Sequence, residues 1–137
     1  MMRPVSPTFF DQPAQQLAIA LLGAVLRRRV TTPEGSLWLA ARIIETEAYE
    51  FSDRGSHASL GETPSRRALF MPAGTIYMYY ARGGDSLNFS ARGAGNAVLI
   101  KSGIPHIDKH SPAQNIEVMQ QFNPAQLARR PDSTAGL

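Results

Sequence analysis

Hydrophobic residues recur at helical spacing near the start of the chain, with Leu17, Leu21 and Ala24 in one register and Gly23 as a stop. Asp11 stands where an N-cap would, Pro13 falls in the first turn, and the pattern predicts a helix over about 12–22. From Val25 the period changes from helical to alternating. Val25–Thr31, a turn at Pro33-Glu34-Gly35-Ser36 and a run from Leu37 to Tyr49 predict a β-hairpin. In its second strand Leu37, Leu39, Ala41 and Ile43 share a face, and the same alternation places Glu45, Glu47 and Tyr49 on it. An apolar face therefore runs into two carboxylates and a phenol.

Residues 50–68 are polar and read as a long loop, with one helical turn after Pro64. Thr75–Tyr80, a turn at Gly83-Gly84, Ser86–Ala91, a turn at Gly93–Asn96 and the apolar run Ala97–Ile100 predict a three-stranded meander. Pro105 and Pro112 break the segment that follows, and Ala113–Phe122 reads as one short helix. After Pro124 the chain is small and polar, which predicts a disordered tail over 124–137. One helix, two antiparallel groups of strands and long loops make an α+β single domain.

Composition narrows the chemistry. The 137 residues include no cysteine, which excludes disulfide scaffolds, cysteine nucleophiles and thiolate metal sites. The net charge is only +3, but 12 of the 14 basic residues are arginine, which favours forked contacts to phosphate or carboxylate. The apolar stretch Leu17–Leu26 has ten residues, about half the length of a membrane-spanning helix, and Arg27, Arg28 and Arg29 follow it rather than precede it. Neither a membrane anchor nor a signal peptide fits, and a cytoplasmic protein is expected.

Three groups of residues are candidates for chemistry. Glu45 and Glu47 lie roughly 6.5–7 Å apart on one strand face, a spacing compatible with hydrolysis, although solvated charges at a strand end are the commoner meaning of such a pair. Tyr49, Tyr77 and Tyr79, with Tyr80 on the opposite face and Arg82 and Arg92 nearby, combine stacking surfaces with phosphate-binding cations; cross-strand aromatic packing accounts for them equally well. His106 and His110 flank Asp108, but prolines bracket the segment and no third metal ligand is evident.

The run Arg42-Ile43-Ile44-Glu45-Thr46-Glu47-Ala48-Tyr49 is followed by His57, Thr63-Pro64, Arg67, Phe70-Met71 and Gly74-Thr75-Ile76-Tyr77-Met78-Tyr79. Leu87-Asn88 and Gly95-Asn96-Ala97-Val98-Leu99-Ile100 come next. With the opening Phe9-Phe10-Asp11-Gln12-Pro13 and Leu21-Leu22-Gly23, these blocks resemble, in order and spacing, the alkyladenine (3-methyladenine) DNA glycosylase family. The resemblance runs from Phe9 to about Lys101 and gives nothing for Arg129–Leu137.

It implies a single α+β domain with a curved antiparallel sheet and flanking helices, and hydrolysis of the N-glycosidic bond of a damaged purine flipped out of duplex DNA. By the resemblance, Glu47 is the general base for water and Glu45 supports it. Tyr49 and His57 sandwich the extruded base, Tyr79 closes the pocket edge, and Asn88 crowds the exocyclic amine of guanine. Lys101 stands where the family has an arginine, and Arg82 where its best-known members have an aromatic wedge. Thr63, Arg66, Arg67, Tyr80, Arg82 and Arg92 are the expected DNA contacts. No metal, cofactor or lyase step is implied, and a monomer acting on duplex DNA is expected. Family members continue through further strands, so the resemblance also implies a C-terminally incomplete domain; the alternative function is a catalytically defective remnant that at most binds DNA.

Overall fold

The computed structural model describes residues 3–53, 61–81 and 84–122. The fold is α+β, built on a five-stranded antiparallel sheet. Helix α1 (Ala14–Leu21) leads into strands β1 (Val25–Thr32) and β2 (Gly35–Tyr49); β3 (Ile76–Ala81), β4 (Gly84–Ser90), β5 (Ala97–Pro105) and helix α2 (Ile116–Phe122) follow. The strand order is β1-β2-β5-β4-β3, which places β5 beside β2. Short 3-10 segments lie at Pro7–Phe10, Pro64–Phe70 and Ala113–Asn115. The chain divides into two compact units, one of Arg3–Leu22 with Thr46–Lys101 and the other, among the described residues, of Gly23–Glu45 with 102–122.

In the first unit α1 buries Ala14, Leu17, Ala18 and Leu21, the stripe expected when one face of a helix meets a core. The helix begins later than the sequence suggests. Pro13 occupies the N-cap position with no side-chain cap, and the Asp11 carboxylate instead takes a hydrogen bond from Arg92 Nε at 2.9 Å. Asp11 itself closes the Pro7–Phe10 segment, its N–H bonded to the Thr8 carbonyl, and its long-range guanidinium partner is one that local sequence cannot reveal. Thr46 Oγ1 donates to the Ala18 carbonyl at 2.8 Å, fixing α1 beside β2.

The β3–β4 ladder pairs Tyr77 with Asn88 and Tyr79 with Ser86, and β4 pairs Asn88 with Leu99 and Ser90 with Ala97 on β5. Directly paired residues share a face, so Tyr77, Tyr79, Asn88, Ser90, Ala97 and Leu99 stand together. The Pro64–Phe70 segment, longer than the single turn expected, packs on this side: Leu69 joins Tyr77 and Ala97 in one buried cluster, and Ser90 Oγ donates to the Ala68 carbonyl at 2.5 Å. On the other side Phe89 meets the Phe10 ring, with centroids 5.2 Å apart.

In the second unit β1 and β2 pair as predicted, from Val25 with Arg42 to Thr32 with Gly35. Gly23, at φ +83°, turns the chain out of α1 in a left-handed conformation that glycine adopts without cost, and its N–H extends the ladder to the Ile43 carbonyl at 2.8 Å. Leu39, Val30 and Met119 form a buried cluster under α2. The helix foreseen over Ala113–Phe122 is present, its first turn being 3-10. Strand β5 does not stop at Ile100 but runs on to Pro105, where proline ends it. The predicted tail over 124–137 lies outside the described residues.

Candidate active site

The site is a product of strand alternation. Glu47 and Tyr49 are two apart near the end of β2, so both project from one face, and the Tyr49 hydroxyl donates to Glu47 Oε2 at 2.5 Å. Lys101, on β5, brings its Nζ to 3.4 Å from Glu47 Oε1. The carboxylate is thus held at both oxygens on a side chain that is itself 36% exposed. The Tyr49 hydrogen bond, assisted by the Lys101 charge, holds the Glu47 carboxyl below the usual carboxylate range against a smaller opposing effect of desolvation. Glu47 is therefore an anion at neutral pH. Glu45 is exposed and receives a longer hydrogen bond, 3.2 Å, from Ser102 Oγ.

The tyrosines separate as the alternation predicts. Tyr77 is buried and Tyr79 half-buried, with ring centroids 5.5 Å apart, whereas Tyr80 points the other way and is 73% exposed. Burial pushes the Tyr77 phenol up, opposed by the positive charge of Arg66, so it stays protonated at neutral pH. The Asn88 side chain is buried, and its amide donates to the Tyr77 carbonyl at 3.3 Å. The sequence places Tyr77 on one face with Tyr79 without giving it a site role; its place beside Asn88 follows from the ladder register.

The flank of the site is fixed by a close approach. Phe51 N–H donates to Asn96 Oδ1 at 2.8 Å, and the Phe51 ring lies over Gly95, whose backbone has φ +85°. A Cβ at Gly95 would come within 2.7 Å of Phe51 Cδ2, so both the conformation and the space require glycine there.

The other expected DNA contacts are dispersed. Thr63 precedes the Pro64–Phe70 segment and accepts the Arg66 N–H through its carbonyl; Arg66 is half-buried and Arg67 exposed. Arg92 is engaged with Asp11 through its side chain. His57 and Arg82 lie outside the described residues. The His106 and Asp108 pair is drawn elsewhere: Asp108 is bound by Arg27 Nη1 and Nη2, with His106 Nε2 at 3.4 Å. Among the described residues no group of three or more histidine or acidic side chains is placed to hold a metal ion, and no helix is long and apolar enough to cross a membrane.

The sequence pattern of the methylpurine-DNA glycosylase family matches residues 8–136, reaching well past Lys101 where the motif blocks end. A Pseudomonas aeruginosa (strain LESB58) protein, provisionally named a 3-methyladenine DNA glycosylase, is 60% identical over 127 residues, 93% of this chain and 52% of its own length. A Pseudomonas fluorescens (strain Pf0-1) protein with the same provisional name is 59% identical over 128 residues, 93% of this chain and 54% of its own. The Mus musculus DNA-3-methyladenine glycosylase is 42% identical over 121 residues, 86% of this chain and 33% of its own. The chain spans about half the length of the bacterial relatives it matches.

Proposed function

The chain belongs to the methylpurine-DNA glycosylase family, and from that premise we propose that it is a monofunctional DNA glycosylase of base-excision repair, hydrolysing the N-glycosidic bond of alkylated or deaminated purines. The observation that carries this reading is the Glu47 carboxylate, anionic and partly open, beside Lys101 and on a strand face continued by Tyr49. Water held on Glu47 adds its oxygen to the sugar carbon, the bond to the base breaks, and the base leaves with the electron pair. Glu47 takes up the proton and balances the positive charge that grows on the sugar.

In this reading the base rotates out of the duplex and stacks on Tyr49, with His57 opposite, Tyr79 at the rim and Asn88 screening against guanine. Cationic purines such as 3-methyladenine suit an aromatic site through cation–π attraction; hypoxanthine and ethenoadenine are the neutral substrates of the same proposal. Lys101 steadies the water-binding oxygen of Glu47. Arg66, Arg67, Arg82 and Arg92, with Thr63 and Tyr80, follow the backbone of duplex DNA, met by a monomer in the cytoplasm.

The test is incubation with duplexes carrying one hypoxanthine, ethenoadenine or 3-methyladenine, followed by alkaline cleavage at abasic sites. Cleavage at the damaged position by the folded chain is expected. Binding without cleavage would favour the alternative, a catalytically defective chain, and overturn the proposed activity.

A further inference from the structure

The two oxygens of Glu47 are not equivalent. Oε2 takes a hydrogen bond of 2.5 Å from the Tyr49 hydroxyl, in the range of strong charge-assisted O–H···O⁻ bonds. Oε1 faces Lys101 Nζ at 3.4 Å, longer than a close N–H···O bond. One oxygen is committed and the other is loosely held. The arrangement costs little to build, because the two side chains already share a face of β2 and each needs only to lean toward the other.

We propose that Tyr49 is a positioning residue for Glu47: its hydroxyl occupies Oε2, fixes the carboxylate plane, and leaves Oε1, beside Lys101, as the oxygen that takes the water. This rests on the glycosylase reading above and adds a task for Tyr49 beyond stacking on the base. The same bond restrains the Tyr49 ring, so the stacking surface and the hydrolytic group are set by one contact. It also makes Glu47 act chiefly through its charge. The Tyr49 bond is the leading cause of the depressed carboxyl titration, and a carboxylate so held is a weaker proton acceptor but remains a full negative charge beside the sugar.

The experiment compares the protein with Tyr49→Phe, which keeps the ring and removes the hydroxyl, and Tyr49→Leu, which removes both. Carboxyl-labelled glutamate followed by NMR, with Glu47→Gln to assign the resonance, gives the Glu47 titration without turnover. The unsubstituted chain is expected to titrate below 4.5, the ordinary glutamate value, and Tyr49→Phe to move the midpoint upward. The acid limb of the single-turnover excision rate should move upward with it. Affinity for a hypoxanthine duplex should hold in Tyr49→Phe and weaken in Tyr49→Leu.

A Glu47 titration at the ordinary value in the unsubstituted chain, or one that Tyr49→Phe leaves in place, overturns the proposal, and neither outcome depends on the substitution being tolerated in a working enzyme. A titration that moves in a chain without excision supports the positioning contact and rejects the glycosylase reading. Excision that depends on Glu47, with a titration indifferent to Tyr49, does the reverse.

Discussion

Among the described residues two carboxylates, Asp108 and Glu47, are held below their ordinary titration, Asp108 by far the more, and they are held for different ends. Asp108 receives both guanidinium nitrogens of Arg27 together with the backbone N–H groups of His110 and Ser111, each at 3.0 Å, and Arg27 Nη1 also donates to Ser111 Oγ at 3.1 Å. Its hydrogen-bonding capacity is filled by groups that tie the segment after β5 to β1. Glu47 has a phenol on one oxygen and a lysine at longer range on the other, and its side chain is partly exposed. A filled carboxylate is a fastening, and a partly filled one can still take a water. The depressed titration of each is therefore a poor guide to function; what distinguishes them is the capacity left over.

The largest effect expected from breaking this contrast is at Glu47. Glu47→Gln retains the size of the side chain and removes its charge and basicity, and should lower the single-turnover excision rate by about 10²–10⁴-fold with only a slight drop in melting temperature from the lost Tyr49 and Lys101 contacts. In the second unit, which also holds the Asp108 fastening, the strongest perturbation is to its buried core. Leu39 is fully buried against Val30 and Met119, and Leu39→Ala should cost about 2–5 kcal/mol of unfolding free energy, read from a urea titration.

Acid sharpens the comparison further. Asp108 is depressed from 3.8, chiefly by the Arg27 hydrogen bonds, and Glu47 from 4.5, chiefly by Tyr49. Each lowered carboxyl contributes stability that is fully present above its unfolded value and lost as pH falls through its lower folded value. Asp108→Asn should therefore lower the melting temperature at neutral pH and flatten the loss of stability below pH 3.8, as recorded by thermal melts across the acid range. The smallest effect is at the exposed Arg92–Asp11 pair, where both side chains are more than half open. Arg92→Ala should change stability by about 1 kcal/mol or less, so a larger loss of affinity for undamaged duplex DNA would mark Arg92 as a DNA contact.

How much of this was legible in the sequence follows the range of each interaction. The hairpin, the meander and the common face of Glu47 and Tyr49 came from the two-residue period, which is local. The same period separated Tyr80 from Tyr77 and Tyr79. The extent of β5 did not, because Lys101-Ser102-Gly103 lacks an apolar run and its strand conformation depends on the neighbouring strand. Asp11 was misread as a cap because Arg92 is 81 residues away. Asp108 lay between two histidines at a spacing that suggests a metal pair, while its partner Arg27 is likewise 81 residues distant. For Glu47 the two-residue period places the face and the resemblance implies the proposed role, but the bond to Tyr49 required coordinates: two side chains on one face can lean together or apart.

The most direct test sets the two carboxylates side by side, measuring excision per folded molecule and thermal melting on the same preparations of Glu47→Gln and Asp108→Asn. The account predicts that Glu47→Gln loses excision and melts only slightly earlier than the unsubstituted chain, whereas Asp108→Asn melts clearly earlier and excises at the unsubstituted rate once the folded fraction is taken into account. Retained excision in Glu47→Gln, or its loss in fully folded Asp108→Asn, would contradict it.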